Sequence, residues 1–69
     1  SNYKEAIKYD NLINLDKFKI SLANAYILNS YYEKAFDLLS DLLKNKDIGY
    51  EEKNISEELL SFVKHKMSI

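Results

Sequence analysis

An all-α fold is the prediction for these 69 residues, and three observations make it. The chain has no proline and one glycine, Gly49, so almost nothing interrupts a helix along its length. Apolar residues return every three or four positions through four successive stretches. No stretch alternates apolar and polar residues for long enough to suggest a strand. A chain this short is a single small domain, 1–69, that buries roughly 60% of its unfolded surface. Its core is expected to be thin and its stability modest.

The first stretch, 3–14, carries Tyr3, Ala6, Ile7, Tyr9, Leu12 and Ile13, mostly on one helical face. The second runs from Lys17 to Asn29, with Asp16 expected as its N-cap. Phe18, Leu22, Ala25 and Tyr26 form one stripe, and Ile20, Ala23 and Ile27 widen it, so this helix is expected to lie between neighbours. Ser30-Tyr31-Tyr32-Glu33 has the spacing of a capping box and opens the third. Tyr32, Ala35, Phe36, Leu38, Leu39, Leu42 and Leu43 then recur at helical spacing to about Lys46. Lys44 and Lys46 near its end oppose the helix dipole favourably, and Gly49 fits a chain reversal just beyond. The fourth stretch, 51–67, carries Ile55, Leu59, Leu60, Phe62, Val63 and Met67. Acids (Glu51, Glu52, Glu57, Glu58) crowd its first half and Lys64, His65 and Lys66 its end, the order the dipole prefers.

Charge and composition remove several classes of function. Ten lysines against eleven acids give a net charge of −1, without the basic surplus of a nucleic-acid binder. There is no cysteine, which excludes disulfides and thiolate metal sites within these residues. No apolar run approaches the ~20 residues that span a bilayer. The opening residues do not read as a signal peptide, and a cytoplasmic location is expected. His65, a lone imidazole between two lysines, is a poor metal or acid–base candidate and reads as solvated helix-end charge. The glutamate pairs are explained by their place in the first turns of a helix. Tyr31, Tyr32 and Tyr50 have no basic residues interleaved as a base-stacking platform would, so they read as packing residues. Asn54-Ile55-Ser56 matches a glycosylation acceptor by chance spacing. No glycine-rich loop, nucleophile motif or metal-ligand spacing occurs, so neither catalysis nor a cofactor is expected.

One pattern is more specific. Leu22-Ala23-Asn24-Ala25-Tyr26 is followed by Ser30, Tyr32, Ala35, Leu39 and Leu42. This resembles the tetratricopeptide repeat (TPR) over residues 16–47: a leucine, a small residue, an aromatic, a turn residue, a second aromatic and an alanine. Ala23 and Ala35 are small enough for two antiparallel helices to approach closely, with Tyr26 and Tyr32 filling the wedge at their turn. Tyr3-Lys4-Glu5-Ala6-Ile7 reads like Tyr32-Glu33-Lys34-Ala35-Phe36, so stretch 3–14 looks like the second helix of an earlier, partial repeat. The sequence departs from the family in two ways. Ala6 and Ala35 are 29 positions apart instead of the usual ~34, leaving too few residues before Phe18, and Asp47 stands where the repeat ends in proline. The stretch from Tyr32 through the lysine-rich end into the last helix is also similar to the C-terminal repeat region of bacterial TPR-bearing thioredoxins, a co-chaperone type.

The resemblance implies an antiparallel array of about four helices, a fragment of a right-handed superhelix. It further implies a peptide groove lined by the first helix of the hairpin: Lys17, Ile20, Asn24, Ile27 and Leu28. Asn24 stands where the family's asparagine meets a peptide backbone. Ile20 stands where chaperone-binding members carry lysine, so a carboxylate clamp is not expected. The expected function is a non-catalytic protein–protein interaction module with a protein or peptide partner, without nucleic acid or membrane. The alternative is self-association into a homo-oligomer, in which the incomplete repeat packs on a second copy.

Overall fold

The computed structural model describes the backbone of residues 2–68 and the side chains of residues 15–68. Three helices are present, α1 (Asn2–Leu28), α2 (Tyr32–Lys44) and α3 (Tyr50–Met67), and no strand occurs among the described residues. No described helix is long and apolar enough to cross a membrane.

Where four helices are expected there are three, because stretches 3–14 and 17–29 are one continuous helix. Asp16 is not a cap but a mid-helix residue, only 5% exposed. The physical reason is that a change in the direction of an apolar stripe does not break a backbone. Without proline, glycine or spare turn residues near Leu15, every amide finds its partner four residues back and the helix runs on. The expected face of Tyr3, Ala6, Ile7, Tyr9, Leu12 and Ile13 lies outside the described side chains.

The α1–α2 turn also differs from the capping box. Ser30 does not cap α2; it terminates α1 in the left-handed region, at φ 62. The Ser30 amide donates to the Ile27 carbonyl at 3.0 Å and the Tyr31 amide to the Tyr26 carbonyl at 2.8 Å, the paired bonds of a Schellman motif. The hydrophobic contact that accompanies the motif is Tyr31 against Tyr26, edge to face with ring centroids 6.5 Å apart. Tyr31, not Tyr32, is therefore the ring that meets Tyr26 at the turn. Tyr31 also occupies the N-cap position of α2, without a side-chain capping bond.

Beyond α2, the Asp47 amide donates to Asn45 Oδ1 at 3.1 Å, a side-chain turn that starts the link to α3. Gly49 is not a left-handed helix stop. It is the N-cap of α3, at φ −66 and ψ 155, backbone that any residue adopts. A Cβ there would meet only the Glu52 carboxylate, the movable end of a flexible side chain, whose Cδ lies 3.2 Å from that position.

The core is small. Among the described residues, Ala23 from α1, Ala35, Leu39 and Leu42 from α2, and Val63 from α3 are the buried apolar ones. Ile20, Ile27, Tyr32, Leu59 and Met67 are among the half-buried residues packed around them. The short turn makes α1 and α2 antiparallel, and α3 then runs parallel to α1. Glu52 lies near the level of Asp16, while Lys66 and Met67 reach Ser30 and Tyr31.

Candidate functional site

Each helix has a face the others leave open, and the concave places between helices are the candidates for recognition. On the flank of the hairpin away from α3, a groove of about 300 Å³ is lined by Leu22, Tyr26, Lys34, Asp37, Leu38 and Asp41. Helical spacing puts Leu22 and Tyr26 on one side of α1, and Lys34, Asp37, Leu38 and Asp41 on the facing side of α2. Below the groove along α1, Phe18 is 64% exposed and Leu15 47% exposed. α1 is therefore not sandwiched all round: α2 and α3 cover two of its sides and this side stays open.

A second cleft, about 420 Å³, sits at the turn end of the molecule between Ser30–Lys34 and the Lys66–Met67 end of α3. The Lys34 ammonium lies 5.3 Å from the Tyr31 ring centroid and 5.9 Å from that of Tyr26. Cation–π contacts at such exposed positions contribute about 0.5–1 kcal/mol. Lys34 therefore braces the turn, and its charge faces the aromatic pair.

The residues expected to line a peptide groove divide between core and solvent. Ile20 and Ile27 pack against the buried core, so their side chains do not line an open surface. Lys17, Asn24 and Leu28 are exposed, and Leu28 is 78% so. Their spacing of seven and four places them on one stripe of α1. None of the five lines either concave place. Of the repeat residues, Ala23, Ala35, Leu39 and Leu42 are buried together, Tyr26 and Tyr32 are half-buried against them, and Leu22 lies in the flank groove.

Three buried polar residues escaped the sequence reading. Asp16, Glu52 and Ser56 are 5%, 7% and 0% exposed, on the faces α1 and α3 turn inward. Burial holds the Asp16 carboxyl above its ordinary value, Lys19 pulls it back, and the Glu52 charge pushes it up again. The Ser56 hydroxyl is buried without a hydrogen-bond partner. A signal for them existed in the spacing. Asp16 falls on the line of Ile20, Ala23 and Ile27, and Glu52 and Ser56 fall on the line of Leu59 and Val63. Their polarity points elsewhere: Asp16 to a cap and Glu52 to first-turn charge, while Ser56 stands out only in a chance glycosylation triplet.

Among the described residues, no group of three or more His, Cys, Asp or Glu is placed to hold a metal ion. Compared with protein-family models, with curated proteins and with solved structures, the chain finds no match.

Proposed function

We propose that this chain is a TPR-like protein–protein interaction module, built on the α1–α2 hairpin and without catalytic chemistry of its own. One observation carries the reading: Ala23 and Ala35 are both 0% exposed, within one cluster with Leu39 and Leu42. Two small residues buried between antiparallel helices are what a close-packed repeat hairpin requires, and such a hairpin presents faces for a neighbour or partner. The open flank of Leu15, Phe18 and Leu22 is the apolar surface such a partner covers.

Ala35→Leu tests the packing, since overpacking a tight contact costs about 1–3 kcal/mol. At the ~4–8 °C per kcal/mol typical of a domain this size, the melting temperature drops well beyond error. An unchanged melting temperature sinks the reading. The narrower proposal, that the module closes a thioredoxin-type co-chaperone, is supported by the layout of α2, a short link and α3. A reading frame upstream without a Cys-x-x-Cys-bearing α/β domain would refute it.

A further inference from the structure

We propose that the cleft between the end of α2 and the start of α3 binds a short acidic segment of a partner protein, with one apolar side chain of that segment seated against Tyr50 and Ile48. The proposal rests on the interaction reading only in taking the partner to be a protein. The site itself lies away from the Ala23–Ala35 contact.

This cleft, about 380 Å³, is formed by Leu43 at the end of α2, the 45–49 link and the first residues of α3. Lys44, Lys46 and Lys53 line it, and its lining includes no acid among the described residues. The acids near it in sequence are placed elsewhere. Glu52 is buried, on the face that α3 turns inward, and Asp47 and Glu51 do not line the cleft. The other two concave places mix their signs: Glu33 stands with Lys34 and Lys66 in one, Asp37 and Asp41 with Lys34 in the other. A chain of net charge −1 thus gathers positive charge at one concavity.

The helix dipole accounts for part of this cluster only. Lys44 and Lys46 stand at and just beyond the end of α2, where positive charge is favourable. Lys53 is the fourth residue of α3, near the positive end of that helix, where a lysine is disfavoured. An anion in the cleft reverses that sign, and a concavity lined by one sign of charge concentrates its counter-ion.

The apolar wall says what the anion is part of. Tyr50 is 81% exposed, more than the other large apolar side chains described, and Ile48 is half-buried beside it. An exposed tyrosine of this kind is a common anchor for a partner's side chain. The volume lies at the small end of the ~300–1,000 Å³ that ligand clefts occupy, enough for one side chain and its flanking carboxylates. A nucleic acid would lay its phosphates across the surrounding acids as well, and the chain has no basic stripe to carry them.

Fluorescence anisotropy of a labelled Glu-Glu-Phe-Glu-Glu peptide with the whole chain reads the outcome. Saturable binding is expected, weakening about fivefold or more between low and physiological salt as screening grows. Absence of saturable binding at submillimolar chain overturns the proposal. Lys53→Glu is expected to raise the dissociation constant about fivefold or more without lowering the melting temperature, because an acid suits the start of a helix. An unaltered dissociation constant overturns the site. Lys64→Glu makes the same change of charge ~16 Å farther along α3 and is expected to leave the affinity nearly unchanged. Equal weakening by both variants means diffuse attraction and overturns the site. A Glu-Glu-Gly-Glu-Glu peptide is expected to bind more weakly, and equal binding overturns the apolar seat. Displacement by millimolar inorganic phosphate, or tighter binding of a labelled oligothymidylate, overturns the acidic segment as occupant. Running Ala35→Leu alongside keeps the two readings apart. No peptide binding by a chain that still melts lower with that substitution refutes the cleft and leaves the hairpin standing.

Discussion

Toward α2, helix α1 offers Ala23, and α2 answers with Ala35, Leu39 and Leu42, all buried and all apolar. Toward α3, at the Asp16 level, α1 offers a carboxylate, and the buried groups of the first half of α3 are Glu52 and Ser56. At that level the two contacts of one helix are made of opposite materials, while Ile20 and Ile27 further along α1 pack against the core that Val63 completes. Apolar burial stabilises at about 25 cal/mol per Å² whatever the pH. Burying a carboxylate takes charge out of water, and that burial, with the nearby Glu52 charge, disfavours the ionised form of Asp16. The start of α3 is therefore held against α1 at a cost that varies with the protonation of Asp16. Farther along, Val63 returns the α3 contact to apolar packing.

The comparison breaks most easily on its apolar side. Leu39→Ala empties a fully buried position and is expected to cost about 2–5 kcal/mol, measured as a shift in the urea midpoint. A loss below half a kcal/mol would mean the hairpin core is not where the stability lies.

On the polar side, Asp16→Asn is expected to stabilise at neutral pH, by less than Leu39→Ala costs. The sign follows from the raised carboxyl. The folded chain holds the Asp16 proton more tightly than the unfolded chain, whose carboxyl titrates near its ordinary 3.8. Through the window between that value and the raised one, stability falls as pH rises, and at neutral pH the contribution has been lost. The asparagine variant removes this slope, so the difference between the two proteins should shrink as pH falls from 7 into the window. Parallel stability curves for both would show that Asp16 is not carrying the effect.

Two smaller changes sharpen the contrast. Ser56→Ala removes a buried hydroxyl without a partner and is expected to gain about 1 kcal/mol in chemical denaturation, where the same change at an exposed serine gives nothing. Ser30→Gly relieves the left-handed conformation at the end of α1 and is expected to gain about 0.5–1 kcal/mol. A loss there would imply that the serine side chain holds the turn.

Much of the fold was legible because helix formation is local. The heptad-like recurrence from Tyr32 through Leu43 fixed α2 to within two residues of its observed end at Lys44, and the acid-to-base gradient marked α3 within one residue of Tyr50. The expected groove was harder to read. The repeat resemblance puts Ile20 and Ile27 at groove positions, yet they lie on the apolar stripe of α1 and pack against the buried core. Glu52 looks like helix-start charge and is one, at the third position of α3, but its face is also the face that meets α1.

The sequence by itself determined that the chain is helical, where α2 and α3 begin and end, and that Ala23 and Ala35 are small where two helices approach. Backbone hydrogen bonding and side-chain volume are properties of residues and their near neighbours. Only the tertiary structure decided that α1 continues through Asp16, that Ser30 closes one helix instead of opening the next, and that two carboxylates and a serine lie inside. Those outcomes depend on which surfaces compete for burial once the helices meet, and that competition is settled among residues distant in the chain.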